Sequence, residues 1–166
     1  MNHFTLQNTS LFLAILLSGL LAGLFYGYAC SVNAGLGILT DLEYVRAMQA
    51  INKVILNPVF FLSFFGALII LPVASWVNYS PPPDKRYYLL LTATAIYIVG
   101  VFGITVFGNV PLNESLAKFN VESASVQEIV YQREKFESAW NRLHLIRTVA
   151  SILSFALTIA SGIKIK

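Results

Sequence analysis

The sequence predicts an all-α integral membrane protein. Residues 1–166 are expected to form a single four-span domain, an antiparallel four-helix bundle with an amphipathic helix between spans one and two and a long, partly extramembrane fourth helix. Three observations carry this. Hydrophobic residues make up 57% of the chain and charged ones 11%, with a mean hydropathy of +0.69, whereas about a quarter of a soluble domain is charged. Four uncharged runs follow one another, Leu11 to Leu39, Asn57 to Ser80, Tyr87 to Val110 and Thr148 to Ile163, and about 20 apolar residues cross a bilayer as a helix. The fourth run is short, so it takes helix from the segment before it.

A net charge of +3 and a pI near 9.1 do not point to nucleic acid, because the basic residues are scattered and form no block or stripe. Cys30 stands alone, which excludes a disulfide framework or a cysteine metal site within one chain, and it reads as a small packing residue. Met1 to Ser10 carries no Lys or Arg, and the run behind it is longer than a signal-peptide core, so it reads as a span and not as a leader.

Span one places Gly19, Gly23, Gly27, Ser31 and Gly35 four residues apart on one helix face. Such a face invites close packing in lipid, against an internal helix or against a second copy in a homo-oligomer through Gly19, Gly23 and Gly27. Thr40 and Glu43 then form a capping box that opens a short helix to Leu56, with Arg46, Gln49 and Lys53 on its polar stripe and Val45, Met48, Asn52 and Ile55 on the other. Asn57 and Pro58 supply a cap and a first-turn proline for span two, and Pro72 suggests a kink within it. Ser80 to Arg86, with Pro81, Pro82 and Pro83, is a short stiff turn.

Span three contains Gly100, Gly103 and Gly108 and then stops at a polar cluster, Asn109-Val110-Pro111-Leu112-Asn113-Glu114. Pro111 is expected to end the helix, leaving Asn109 and Asn113 to offer amides to the freed carbonyls or to a neighbouring helix. Ser125 and Glu128 form a second capping box, from which one helix can run to about Gly162. Along it Glu137, Trp140, His144, Arg147, Ser151, Ser154 and Thr158 recur at steps of three and four. A polar stripe therefore lies where a membrane helix should be apolar, and an ionisable group inside a span faces the bundle interior, a cavity or the interface.

Metal and cofactor motifs are missing from the sequence. There is no Glu-x-x-His set, a bis-histidine haem would need His3, and no phosphate loop or dinucleotide fingerprint occurs. No cofactor is therefore expected, and the expected partners are the lipid bilayer and a lipophilic aromatic small molecule. Lys85, Arg86, Lys164 and Lys166 lie in very short segments, so both termini and the Pro81 to Arg86 turn are expected on the cytoplasmic side of a multi-pass protein of the inner membrane.

Met48-Gln49-Ala50-Ile51-Asn52 with Asn57-Pro58-x-Phe60, then Gly108-Asn109-Val110-Pro111-Leu112-Asn113, then Trp140 with His144 and Arg147, resemble the anthrone-oxygenase-like integral membrane family. The resemblance covers about Gly19 to Ser151 and departs from the family pattern at Leu143, where many members carry a second aromatic. It implies a four-helix membrane protein that oxidises polycyclic anthrones to anthraquinones without metal or flavin. A base takes a proton, and the enolate then reacts with dioxygen. On that footing His144 is the expected base and Arg147, Asn109 and Asn113 the oxyanion donors. Trp140 becomes a stacking wall, and Asn52, Met48 and Glu114 further substrate contacts. Glu114 or Glu137 would orient the imidazole, and Arg147 is expected to reach Asn109, Asn113 or Glu114. The alternative is a non-catalytic membrane module in which the same cluster binds a lipid, a quinone or a partner protein.

Overall fold

The computed structural model describes residues 5–163. His3, Lys164 and Lys166, on which the haem and topology expectations drew, lie outside the described residues. Those residues form helices and no strand: α1 (Leu6–Gly37), α2 (Asp41–Val54), α3 (Pro58–Val77), α4 (Lys85–Ala117) and α5 (Val126–Gly162). Of these, α1, α3, α4 and α5 are long and apolar enough to cross a membrane.

The helix starts follow local chemistry. Thr40 accepts from the Glu43 backbone while the Glu43 carboxylate takes the Thr40 N–H at 3.0 Å. Ser125 and Glu128 repeat the arrangement at the head of α5. Each box satisfies backbone donors that a helix start leaves bare. Asn57 Oδ1 accepts the Phe60 N–H at 3.0 Å with Pro58 in the first turn of α3, and Asp84 caps α4 through the Tyr87 N–H at 2.9 Å.

Pro111 does not end α4. The helix widens into π turns over Tyr97–Gly103 and Thr105–Asn109, and an α segment, Val110–Ala117, carries the proline in its first turn. A proline at a helix start lacks only an N–H that has no partner there in any case, and the preceding change of register supplies that start inside a continuous helix. In α1 a π turn also occupies Tyr28–Val32.

Helix α1 packs on α3 and α5, α4 packs on α3 and α5, and α2 lies against α5 and the end of α4. Arg133 near the start of α5 donates to the carbonyls of Gly37 at 3.1 Å and Leu39 at 2.8 Å. Gln49 of α2 donates to those of Leu116 at 2.9 Å and Phe119 at 2.8 Å. The end of α1, all of α2, the end of α4 and the start of α5 are thereby tied together. Two apolar cores result. One joins α1, α3, α4 and α5 around Leu21, Phe64, Leu71, Leu90, Tyr97 and Val101. The other gathers Leu36, Tyr44, Val45, Met48, Leu116 and Phe136 and holds no α3 residue, α2 contributing in its place.

Within the chain the glycine face of α1 is mostly open, so an internal helix covers it only at Gly19. A Cβ at Gly19 would lie 2.8 Å from the Phe155 ring, but Gly23, Gly27 and Gly35 meet nothing within 4 Å. The closest approaches fall elsewhere: a Cβ at Gly100 would sit 2.6 Å from Ala150 Cβ, and one at Gly66 2.7 Å from Leu17. Cys30, taken for a packing residue, is exposed.

Candidate functional site

The stripe on α5 faces inward as its spacing requires, with Trp140, His144, Arg147, Ser151, Ser154 and Thr158 all buried. Arg147 is 8% exposed, so it does not snorkel to water. Its Nε and Nη2 both lie on His144 Nδ1, at 3.1 and 3.0 Å, and Nη1 reaches Thr105 Oγ1 at 3.5 Å. The guanidinium carbon stands 4.5 Å from the Phe25 ring centre and 5.3 Å from that of Trp140, a position in which both ring faces attract a cation. Arg147 forms no ion pair with any described carboxylate.

Arginine has donors only, so Nδ1 of His144 must be the acceptor and the ring proton belongs on Nε2. That nitrogen donates to the Phe25 carbonyl at 3.2 Å. The Phe25 carbonyl also takes the Tyr28 N–H of its own helix, so it accepts from α1 and α5 at once. His144 is sandwiched besides, stacked on Trp140 with centroids 4.9 Å apart and edge-on to Tyr28 at 5.1 Å.

Trp140 is held at two points by α4. Asn109 Nδ2 donates to its carbonyl at 3.3 Å, and its indole Nε1–H donates to Asn113 Oδ1 at 2.8 Å. Of the two roles expected for these asparagines, the bond to a neighbouring helix is the one made, and both fix one tryptophan. Asn109 Oδ1 is buried and has no partner among the described residues.

Beside these groups lies a cavity of about 410 Å³, lined among others by Phe25, Tyr28, Asn52, Asn113, Trp140 and Arg147. His144 and Thr105 also border it, and apolar side chains from Leu24, Ile51, Val54, Ile55, Leu56 and Phe60 make up most of the rest. It is concave and apolar with a few convergent polar groups, the form of a small-molecule site. Among the described residues no three of His, Cys, Asp and Glu come together in a metal-binding group.

The sequence profile of the anthrone oxygenase family matches residues 60–157. The chain belongs to the anthrone oxygenase family. No curated protein and no solved structure matches the chain. In this anthrone oxygenase family member the matched stretch holds Thr105, Asn109, Asn113, Trp140, His144 and Arg147. It leaves out Met48 and Asn52, which the resemblance had included, and the α1 residues that complete the cavity wall.

Several expected contacts are not made. Arg147 reaches neither Asn109, Asn113 nor Glu114, because α4 and α5 meet in a register that sets Thr105 opposite it and gives the asparagines to Trp140. Met48 is fully buried and off the cavity, where its Sδ accepts from the Tyr28 hydroxyl at 3.2 Å. Glu114 lines a neighbouring cavity instead. Glu137 is bound to Arg133 at 2.7 Å, so neither it nor Glu114 orients the imidazole; Arg147 and the Phe25 carbonyl do. Leu143, where many relatives carry an aromatic, packs over Gly108, 3.0 Å from where a Cβ would stand. Sequence reasoning missed Phe25, Tyr28 and Thr105. Thr105, Asn109 and Asn113 recur at steps of four and face the α5 stripe, a signal that would have found the first of them.

Proposed function

We propose that the chain crosses the membrane as an antiparallel four-helix bundle and acts as a cofactor-independent oxygenase on a flat lipophilic substrate of the anthrone type. The observation that carries this is Arg147, a buried cation with no carboxylate, held between two rings at the edge of an apolar cavity. A cation in such surroundings is a preorganised partner for an oxygen that becomes negative, and it acts more strongly there than in water.

In this scheme the substrate's ring system lies in the cavity against Trp140, with its carbonyl oxygen toward Arg147. Both nitrogens of His144 are engaged, so the imidazole offers no free lone pair until Arg147 turns from Nδ1 onto the substrate oxygen. That movement would couple the two roles. As charge builds on the oxygen it draws the guanidinium N–H groups, and Nδ1 is released to take the proton from the ring CH₂. The enolate gives an electron to dioxygen, the carbon–oxygen bond forms, and loss of water from the hydroperoxide leaves the quinone. The balance is CH₂ plus O₂ to C=O plus H₂O. Asn109 acts behind the wall in this scheme, positioning Trp140, while Asn52 and Asn113 border the substrate.

The reading of the cluster as a non-catalytic module draws support from the saturation of Trp140 and His144 by protein partners. The cavity beside them favours a ligand. Incubation of the purified protein with a simple anthrone under air, following quinone absorbance, tests the oxygenase reading. The expected result is turnover above the spontaneous rate, abolished in His144→Ala, and no excess over the spontaneous rate would overturn it.

A further inference from the structure

A second cavity, of about 590 Å³, adjoins the first between α2 and the end of α4. Its polar lining includes Lys53, Glu114, Asn120 and Glu122. Asn52, Leu56, Val110 and Asn113 border both cavities, so the partition between them is one layer of side chains. Two carboxamides stand in that layer with donors to spare. Among the described residues Asn52 Nδ2 is shut from solvent and has no partner, and Asn113 spends its oxygen on Trp140 while its NH₂ makes no hydrogen bond. A buried amide without an acceptor is costly, and a bound oxygen would relieve it.

Charge in the second cavity favours neither sign. Lys53 and Glu114 contribute one charge each, and Glu122 is already paired with Arg46 at 2.9 Å. The matching group is therefore neutral and hydrogen-bonding. We propose that the ligand is a two-part amphiphile whose flat apolar rings fill the first cavity and whose neutral polar arm passes between Asn52 and Asn113 into the second, with an acceptor oxygen on the Asn52 amide. The ring half of this inference rests on the function proposed above; the arm and its direction are new.

The test uses the full chain in detergent with Trp76→Phe, which leaves Trp140 as the sole tryptophan, at the wall of the first cavity. Quenching of Trp140 is titrated with plain 9,10-anthraquinone and with the same quinone bearing a triethylene glycol arm at one outer ring position. The armed quinone is expected to bind about tenfold tighter, the gain of one or two neutral hydrogen bonds. Ala117→Phe, an exposed residue that lines only the second cavity, is expected to erase that advantage and leave the plain quinone's binding unchanged. Asn52→Leu is expected to shrink the same ratio by a separate route. Equal affinities in the parent, or an advantage that survives both substitutions, would overturn the amphiphile and leave the ring site standing. Quenching by neither quinone would remove the ring site and the inference with it.

Discussion

Arg147 and His144 share one hydrogen-bonding atom: two nitrogens of the guanidinium converge on Nδ1 of the imidazole at 3.1 and 3.0 Å. The pair lies one helical turn apart on α5, and in the mechanism proposed above it would couple the position of the cation to the availability of the base. Arg147→Lys keeps the charge but replaces a planar fork with a single point, so it cannot hold Nδ1 and Thr105 at once. Turnover of an anthrone is expected to fall about 100-fold or more, the usual loss for one oxyanion donor, while the melting temperature moves by only a few degrees. A variant whose melting temperature falls steeply while the folded protein retains its turnover would reverse the assignment.

The bond between Trp140 and Asn113 can be tested from both ends. Asn113→Leu leaves the indole N–H without its acceptor in a buried setting and is expected to cost about 1–3 kcal/mol. Trp140→Phe removes the donor instead and leaves Asn113, which is only half-buried and borders a cavity, to hydrate. The hydrogen-bond part of its cost is therefore smaller, though the lost ring area adds to it. Thermal unfolding of both, with Trp140→Phe in an Asn113→Leu background, separates the two terms, and additive losses would show that the bond contributes nothing.

Gly100→Val is expected to destabilise by about 1–3 kcal/mol through overpacking against Ala150, whose Cβ cannot move aside without its helix. Gly23→Ala meets open space and is expected to stabilise α1 by up to about 1 kcal/mol through helix propensity. The reverse order in a melting series would mean that the open face of α1 is covered. Gly23→Leu reads the same face for a second copy of the chain: a cross-linked dimer lost at an unchanged melting temperature would locate it there.

Arg133 closes the end of the molecule, with Glu137 at 2.7 Å, Asp41 at 3.0 Å and two α1-side carbonyls as partners, over the ring of Tyr44. The two carboxylates keep some contact with water, which lowers what each pair contributes. Arg133→Met is expected to cost about 1–3 kcal/mol in all, and hydrogen exchange should quicken first in α2. Exchange that quickens uniformly would remove this staple as a local device.

Below pH 4.5 the head of α2 should loosen. Hydrogen bonds from the Thr40 hydroxyl and N–H hold the Glu43 carboxyl below its ordinary value of 4.5. A depressed acid contributes stability above its unfolded value and loses it as pH falls through the folded one. Proton-dependent fraying of α2 is expected in that window, and Glu43→Gln should remove the dependence. Fraying that persists unchanged in the variant would assign it to other groups.

Much of the architecture could be read from short-range chemistry. Thr40 with Glu43, Asn57 with Pro58, and Ser125 with Glu128 mark helix starts within a few residues of themselves, and the α5 stripe declares its inward face by spacing alone. What sequence could not give was whatever depends on register between helices. A π turn has no propensity signature, so the passage of α4 through Pro111 was hidden, and with it the rotation that gives Asn109 and Asn113 to Trp140. Phe25 enters the site partly through a backbone carbonyl, which no side-chain pattern announces.

Helix α3 is 20 residues long, whereas α1, α4 and α5 have 32, 33 and 37. At about 1.5 Å per residue it rises about 30 Å, the thickness of a bilayer's hydrocarbon core, with nothing to spare. In the membrane-spanning arrangement proposed above it would act as the molecule's depth gauge. Its first turn, at Phe60, is also a wall of the cavity that Arg147 borders, so in the proposed arrangement the gauge would set that cavity at the level where acyl chains give way to headgroups. A lipophilic molecule could slip in sideways from the membrane without passing through water, and lipids of different chain length would raise or lower the threshold it has to cross.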